Sequence, residues 1–200
     1  MTFAAFLLLG YLIGSVSFAV LVSRAFRLAD PRTFGSGNPG ATNVLRSGNK
    51  LAALLTLLGD AFKGWLAMQV ARWLGADGTA VAGAGVAAFV GHIYPVFHRF
   101  RGGKGVATAL GVLAGFSAPL ALVCGGVWAA AALLFRYSSL AAICAAVAAP
   151  FAAAALIDMR AVMGVSAMSA LLIFRHRENI RRLLSGTESR IGAKKQKAGT

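Results

Sequence analysis

Acidic charge is scarce in this chain, which carries only six Asp and Glu among its 200 residues. No paired-carboxylate site is visible among them, and the usual arrangement for general acid and base work is therefore missing. Cysteine is rarer still. Cys124 and Cys144 lie inside apolar runs without His or Cys at ligand spacing, so a metal cluster and a disulfide both fail, and the two are read as small packing residues. There is no Walker A loop either. The glycine stretch around Lys104 lacks the four-residue spacer and the Lys-[Ser/Thr] ending, so nucleotide hydrolysis is not indicated. Charge of any kind makes up only 13% of the residues, against 58% hydrophobic. With a mean hydropathy of +0.72, the chain is too apolar for a water-soluble domain of this length, and its class is integral membrane protein.

Apolar runs of about 17–25 residues are needed to cross a bilayer as helices. Thr2–Val22 is a first case; it has no basic leader region or obvious cleavage site, and reads as a retained anchor. Further runs at about Leu51–Trp73, Thr79–Val96, Val106–Ala118, Leu120–Phe135, Ser138–Ile157 and Ala161–Phe174 bring the expected count to seven. The fourth and last are short, and Pro119 is the only strong divider between the fourth and fifth, so five or six crossings stay open. The expected fold is all-α, a polytopic integral membrane protein of about seven transmembrane helices. Alanine and glycine pervade the later runs, as in Gly83–Gly91, which suits close helix approach in lipid.

Positive charge orients the chain. With seven crossings, one side collects Arg24, Arg27, Arg32, Arg46 and Lys50, then Arg99, Arg101 and Lys104, then Arg136, and then eight cations from Arg175 to Lys197. The other side collects Arg72 and Arg160. That asymmetry implies a cytoplasmic C-terminus and an external N-terminus. The net charge of +14 is then concentrated on one face, where topology and attraction to anionic membrane lipids explain much of it. No nucleic-acid partner is expected. The segment 189–200, with Lys194, Lys195 and Lys197, reads as a basic cytoplasmic tail on a single domain spanning 1–188.

Three polar clusters fall on that side. In Phe34–Lys50, Ser36, Thr42 and the amides of Asn38 and Asn43 can donate to phosphoryl oxygens, Arg46 can clamp them bidentately, and Pro39 stiffens the turn. In His92–Thr108, the glycines of Arg101-Gly102-Gly103-Lys104-Gly105 let successive backbone N–H groups converge on an anion, with Lys104 and a helix starting near Val106 adding positive charge. In Arg175–Glu188, His176 and Asn179 share one helix face. Taken singly, each has a plainer reading: a tight turn for the glycines, a turn-stabilising hydroxyl for Ser36, a solvated basic helix end for the third cluster. Asp60 and Lys63, three apart on the second helix, form either a mutual ion pair or part of a polar cavity.

Ser36-Gly37-Asn38-Pro39-Gly40-Ala41-Thr42-Asn43, then Gly91-His92 with Pro95-Val96-Phe97 leading into Gly102-Gly103-Lys104-Gly105-Val106-Ala107-Thr108, then Arg175-His176 with Asn179-Ile180 and Arg182-Leu183, resemble the three signature motifs of the bacterial PlsY family. The resemblance spans about residues 1–188 and includes Asp60, Lys63 and Gly64. It implies an acyl-phosphate-dependent glycerol-3-phosphate acyltransferase that yields 1-acyl-glycerol 3-phosphate (lysophosphatidic acid) and phosphate, opening phospholipid synthesis. It further implies a bacterial inner-membrane enzyme with seven helices, an external N-terminus, a cytoplasmic active site and no cofactor or metal, here expected as a monomer.

By the same resemblance Ser36, Arg46, His176 and Asn179 are catalytic. The expected binding set is Gly37, Asn38, Thr42, Asn43, His92, Gly102, Gly103, Lys104 and Gly105, with Asp60 and Lys63, and Glu188 is structural. An acyl phosphate is already activated, so anion clamps and an aligned hydroxyl suffice. His176 beside several arginines would be a weak base, which favours the donor's own phosphate as proton acceptor over His176, with His92 and His176 positioning groups and His98 interfacial. Two other classes stay open: a transporter of an organic phosphate or phospholipid, against which stand the absence of internal repeats and the one-sided polar clusters, and a non-catalytic lipid-binding scaffold.

Overall fold

The computed structural model describes residues 1–192, and the tail lysines Lys194, Lys195 and Lys197 lie outside the described residues. Every regular element among those residues is helical: α1 (Phe3–Gly14), α2 (Phe18–Ala25), α3 (Ala41–Leu45), α4 (Lys50–Trp73), α5 (Gly78–Ile93), a short 3-10 turn (Val96–His98), α6 (Val106–Phe116), α7 (Ala118–Phe135), α8 (Ser138–Leu156), α9 (Met159–Arg175) and α10 (Arg177–Leu184). Five segments are long and apolar enough to cross a membrane: Phe3–Ala25, Lys50–Trp73, Gly78–His98, Ala118–Phe135 and Ser138–Leu156. α6, at 11 residues, and α9, at 17, are shorter.

The first apolar run is not one helix. α1 stops at Gly14 and α2 restarts at Phe18, because Ser15 turns its hydroxyl back onto the Tyr11 carbonyl at 2.8 Å and Ser17 is extended. Hydropathy does not register such a break, since Val16 between the serines is apolar. A freed backbone carbonyl at membrane depth must find a donor, and that of Val16 receives Lys63 Nζ at 2.6 Å. The division between α6 and α7 falls at Ser117, whose backbone is extended, rather than at Pro119. Pro119 sits in the first turn of α7, where its missing N–H leaves no helical bond unmade.

Capping accounts for two of the six carboxylates. Asp77 accepts from the backbone of Ala80 to start α5, and Asp158 accepts from that of Ala161 to start α9. Helices then approach through small residues. A side chain at Gly10 or Gly14 of α1 would meet the backbone of Ala84 or Ala88 on α5, and one at Gly64 or Gly111 would close the α4–α6 seam. α7 packs on α8, and α8 on α9. Leu122, Leu133, Leu134 and Phe151 point outward and are largely exposed, as befits a surface solvated by lipid.

Candidate active site

One end of the bundle gathers the polar loops. Contacts between side chains far apart in sequence define it: Thr42 Oγ1 to Ser138 Oγ at 3.2 Å, Arg46 to Ser189 Oγ at 2.8 Å, Lys104 Nζ to Asn179 Oδ1, and Ser139 Oγ to Glu188 Oε1 at 2.7 Å. The starts of α4, α6 and α8 and the end of α9 thus share this end.

The opening loop is wound around Asn43. Its Nδ2 donates to the carbonyls of Pro31 (2.6 Å) and Phe34 (3.1 Å), while Oδ1 accepts from the backbone N–H of Ser36 (3.0 Å) and from Arg46 (3.3 Å). Both amide donors are therefore spent inside the loop, and Asn43 shapes it rather than offering donors outward. Gly35 has a positive φ of 61° and leaves room for the Asn43 amide. Ser36, Gly37, Thr42 and Arg46 are exposed at the rim, with Asn38 partly so.

The glycine loop folds back on the end of α5. The N–H groups of Gly102 and Gly103 donate to the carbonyls of Ile93 (3.2 Å) and His92 (3.1 Å), so the backbone donors expected to converge on an anion are here engaged at these two positions. A methyl at Gly103 would run into the His92 imidazole and crowd the Pro39 carbonyl, which puts the seam between the two loops at this residue. Gly105 takes the left-handed conformation (φ 85°) as it starts α6, and a side chain there would strike the Phe89 ring. Arg175 reaches toward the Gly102 and Gly103 carbonyls at 3.5 and 3.4 Å, and its guanidinium lies over the Tyr94 ring.

Lys104 is half-buried. Burial first, then the cations of Arg182, Arg175 and Arg46, bring its ammonium down to about 8, with Glu188 opposing. Glu188 is the hub beside it. One oxygen accepts from Ser139 and from Asn179 (2.7 Å each), the other from Arg182 (2.6 Å). Burial would raise this carboxyl, but these three hydrogen bonds prevail and hold it below the usual range. Glu188 thereby joins α8 to α10.

His176 is buried between α9 and α10 and faces the Leu172 carbonyl with Nδ1 at 2.8 Å. A carbonyl only accepts, so Nδ1 carries the proton and Nε2 is left with its lone pair. Burial pushes the imidazole down to about 4; the hydrogen bond to Leu172 opposes this, and Lys104 and Arg175 reinforce it. His176 is accordingly neutral at pH 7.

Asp60 and Lys63 realise the ion pair of the two readings open to them, with Nζ 2.8 Å from Oδ1 and both side chains 3% exposed. They approach the loops through His92, whose Nδ1 is 2.9 Å from Lys63 Nζ. Sequence reasoning missed Ser139, Arg175, Arg182 and Ser189 as parts of the site. Arg175 and Arg182 stand within the third motif and Ser139 at a helix start, which were the available signals; Ser189 carried none.

A bundle of apolar helices with cationic, hydroxyl and amide side chains clustered at one end has the make-up of an integral membrane protein whose polar groups suit an anionic ligand. The profile of the family described as "Glycerol-3-phosphate acyltransferase" matches residues 4–186, and the chain belongs to that family. It is 60% identical to the glycerol-3-phosphate acyltransferase of Ralstonia nicotianae, covering 96% of this chain and 95% of the relative, and 61% identical to that of Laribacter hongkongensis, covering 98% and 100%. Crystal structures of PlsY, an integral membrane glycerol 3-phosphate acyltransferase, superpose with a TM-score of 0.89 for its glycerol 3-phosphate form and 0.87 for its lysophosphatidic acid form. The identities are 39% and 38%, over 95% of this chain and 96% and 95% of theirs.

Proposed function

We propose that the chain transfers a fatty acyl group from an acyl phosphate to the 1-hydroxyl of glycerol 3-phosphate, giving lysophosphatidic acid and inorganic phosphate. Its seven hydrophobic segments, α6 and α9 included, cross a bacterial inner membrane with the N-terminus outside and the polar end in the cytoplasm, and it acts as a monomer. The observation that carries this reading is the meeting of Arg46, Lys104 and Asn179 within one hydrogen-bonded end of the bundle, tied by Glu188 and Ser189, with His176 within reach of the Lys104 and Glu188 charges. Arg46 and Lys104 are cationic donors suited to phosphoryl oxygens, and neutral His176 beside them offers an acceptor for a hydroxyl.

Lys104 and Arg46 neutralise the phosphates and bring the reactants together, which supplies much of the acceleration for an activated donor. Ser36 and the Asn179 amide stabilise charge on the acyl carbonyl oxygen as the hydroxyl adds. The bond from glycerol oxygen to acyl carbon forms, the bond from acyl carbon to phosphate oxygen breaks, and the departing phosphate carries off the proton. His176, neutral and with Nε2 unprotonated, accepts a hydrogen bond from the hydroxyl and orients it. It is too weak a base at about 4 to hold the proton itself.

The acyl chain stays in the bilayer. An apolar groove of about 1240 Å³ runs between α2, α4, α6 and α7, past Phe18, Phe62, Trp65, Leu110 and Gly126, and its lining suits a fatty chain. Purified protein in lipid vesicles with palmitoyl phosphate and glycerol 3-phosphate should release phosphate and lysophosphatidic acid in equal amounts. Phosphate release without the lipid product would make the chain a hydrolase and refute the transfer.

A further inference from the structure

A lysine buried in a membrane helix has three hydrogens and no acceptor. Lys63 directs two of them to the Val16 carbonyl at 2.6 Å and to His92 Nδ1 at 2.9 Å, and its Nζ lies 2.8 Å from Asp60 Oδ1 as an ion-pair contact without a hydrogen bond. Asp60 balances the charge. The consequence falls on the histidine. A ring nitrogen facing an ammonium must be bare, so the single hydrogen of neutral His92 sits on Nε2. Asp60 Oδ1, at 3.6 Å from Nδ1, is too far to claim a hydrogen there instead.

Nε2 is the atom at the seam. It lies against Gly103, at the point where the glycine loop meets the Pro39 carbonyl of the opening loop, and a methyl on Gly103 would collide with it. We infer that the buried Asp60–Lys63 pair, together with the break after α1 that frees the Val16 carbonyl, is a tautomer lock: it holds His92 with its proton on Nε2, as a fixed donor to a phosphoryl oxygen carried between the two loops. Lys63 and Asp60 are then positioning residues that act through His92, with no contact to substrate. The phosphoryl part of this inference rests on the proposed acyl transfer; the tautomer does not.

The two parts are tested separately. In protein carrying ¹⁵N-labelled histidine, with the His92 signals assigned by their loss in His92→Gln, the nitrogen spectrum of His92 should report a bare Nδ1 and a protonated Nε2 without any substrate. Lys63→Met leaves only the Asp60 carboxylate near Nδ1, so the proton should move to Nδ1. Lys63→Arg keeps a donor-only cation and should retain the Nε2–H form. The double variant Asp60→Leu/Lys63→Met removes both charges, guards against misfolding from one unpaired buried ion, and should leave a mixture of tautomers. A wild-type His92 protonated on Nδ1, or a Lys63→Met spectrum like wild type, would overturn the lock.

Kinetics then tests the donor. Lys63→Met should raise KM for glycerol 3-phosphate or for the acyl phosphate by roughly tenfold, with a smaller change in kcat, as expected for loss of one hydrogen bond to a charged group. Adding His92→Gln to Lys63→Met should cause little further loss. Additive losses would refute the route through His92 while leaving acyl transfer intact.

Discussion

Lys104 and Asn179 are joined by a hydrogen bond from ammonium to amide oxygen across 75 positions of sequence, linking the glycine loop to α10, while the amide nitrogen of Asn179 donates to Glu188. Asn179 therefore presents its two ends to a cation and to an anion. An ammonium has three hydrogens, so Lys104 can meet a phosphoryl oxygen while still donating to the Asn179 amide oxygen.

Activity should be bell-shaped in pH. Phosphate monoesters lose their second proton near about 6, giving the rising limb. Lys104 loses its charge near about 8, so kcat/KM should fall as pH rises through that value. Lys104→Arg should move the falling limb well above pH 9. A limb near 8 that persists in Lys104→Arg would assign it elsewhere.

His176 contributes no limb in the neutral range, because its imidazole titrates at about 4. His176→Gln should lower kcat by about 10-fold to 100-fold while the rising limb stays where it was. Loss of the limb in this variant, with the protein folded and binding glycerol 3-phosphate, would make His176 the base.

Glu188 ties α8, α10 and the segment after α10 to one point. Its carboxyl is held below the ordinary value in the fold, so the stability it contributes is present above the unfolded-state value near about 4.3 and is lost as pH falls through the lower folded value. Glu188→Gln keeps an oxygen for Ser139 and Asn179 but loses the Arg182 ion pair. Thermal unfolding in detergent should show Glu188→Ala destabilised more than Glu188→Gln, with the gap between wild type and Glu188→Gln closing below pH 4. A constant gap would remove the carboxylate charge from the account.

Gly126 faces open space on α7 beside the apolar groove. Gly126→Leu should fill part of it without disturbing packing. Competition between decanoyl and palmitoyl phosphate should then shift toward the shorter chain by severalfold; an unchanged ratio would put the acyl chain in another groove.

Much of this site is local in sequence and could be read there. Lys104 among its glycines, Arg46 after the opening loop, and His176 three residues before Asn179 each carry their chemistry in a few adjacent residues, although the helix expected to continue through His176 breaks there. What sequence could not supply was partnership. Asn43 has donors suited to phosphate, but the carbonyls of Pro31 and Phe34 take them, and only the loop's path reveals this. The Asp60–Lys63 pair was legible from spacing, yet its link to His92 depends on a helix break hidden inside an apolar run. Seven apolar runs were legible too, and five of the corresponding segments have the length and hydropathy of a span on their own. α6, at 11 residues, and α9, at 17, fall short in length.

The most direct test of the central claim is a comparison of donors. Purified protein in vesicles, with glycerol 3-phosphate and EDTA present, should make lysophosphatidic acid from palmitoyl phosphate at full rate and little or none from palmitoyl-CoA. Transfer from palmitoyl-CoA alone, or activity abolished by EDTA and restored by Mg²⁺, would contradict it.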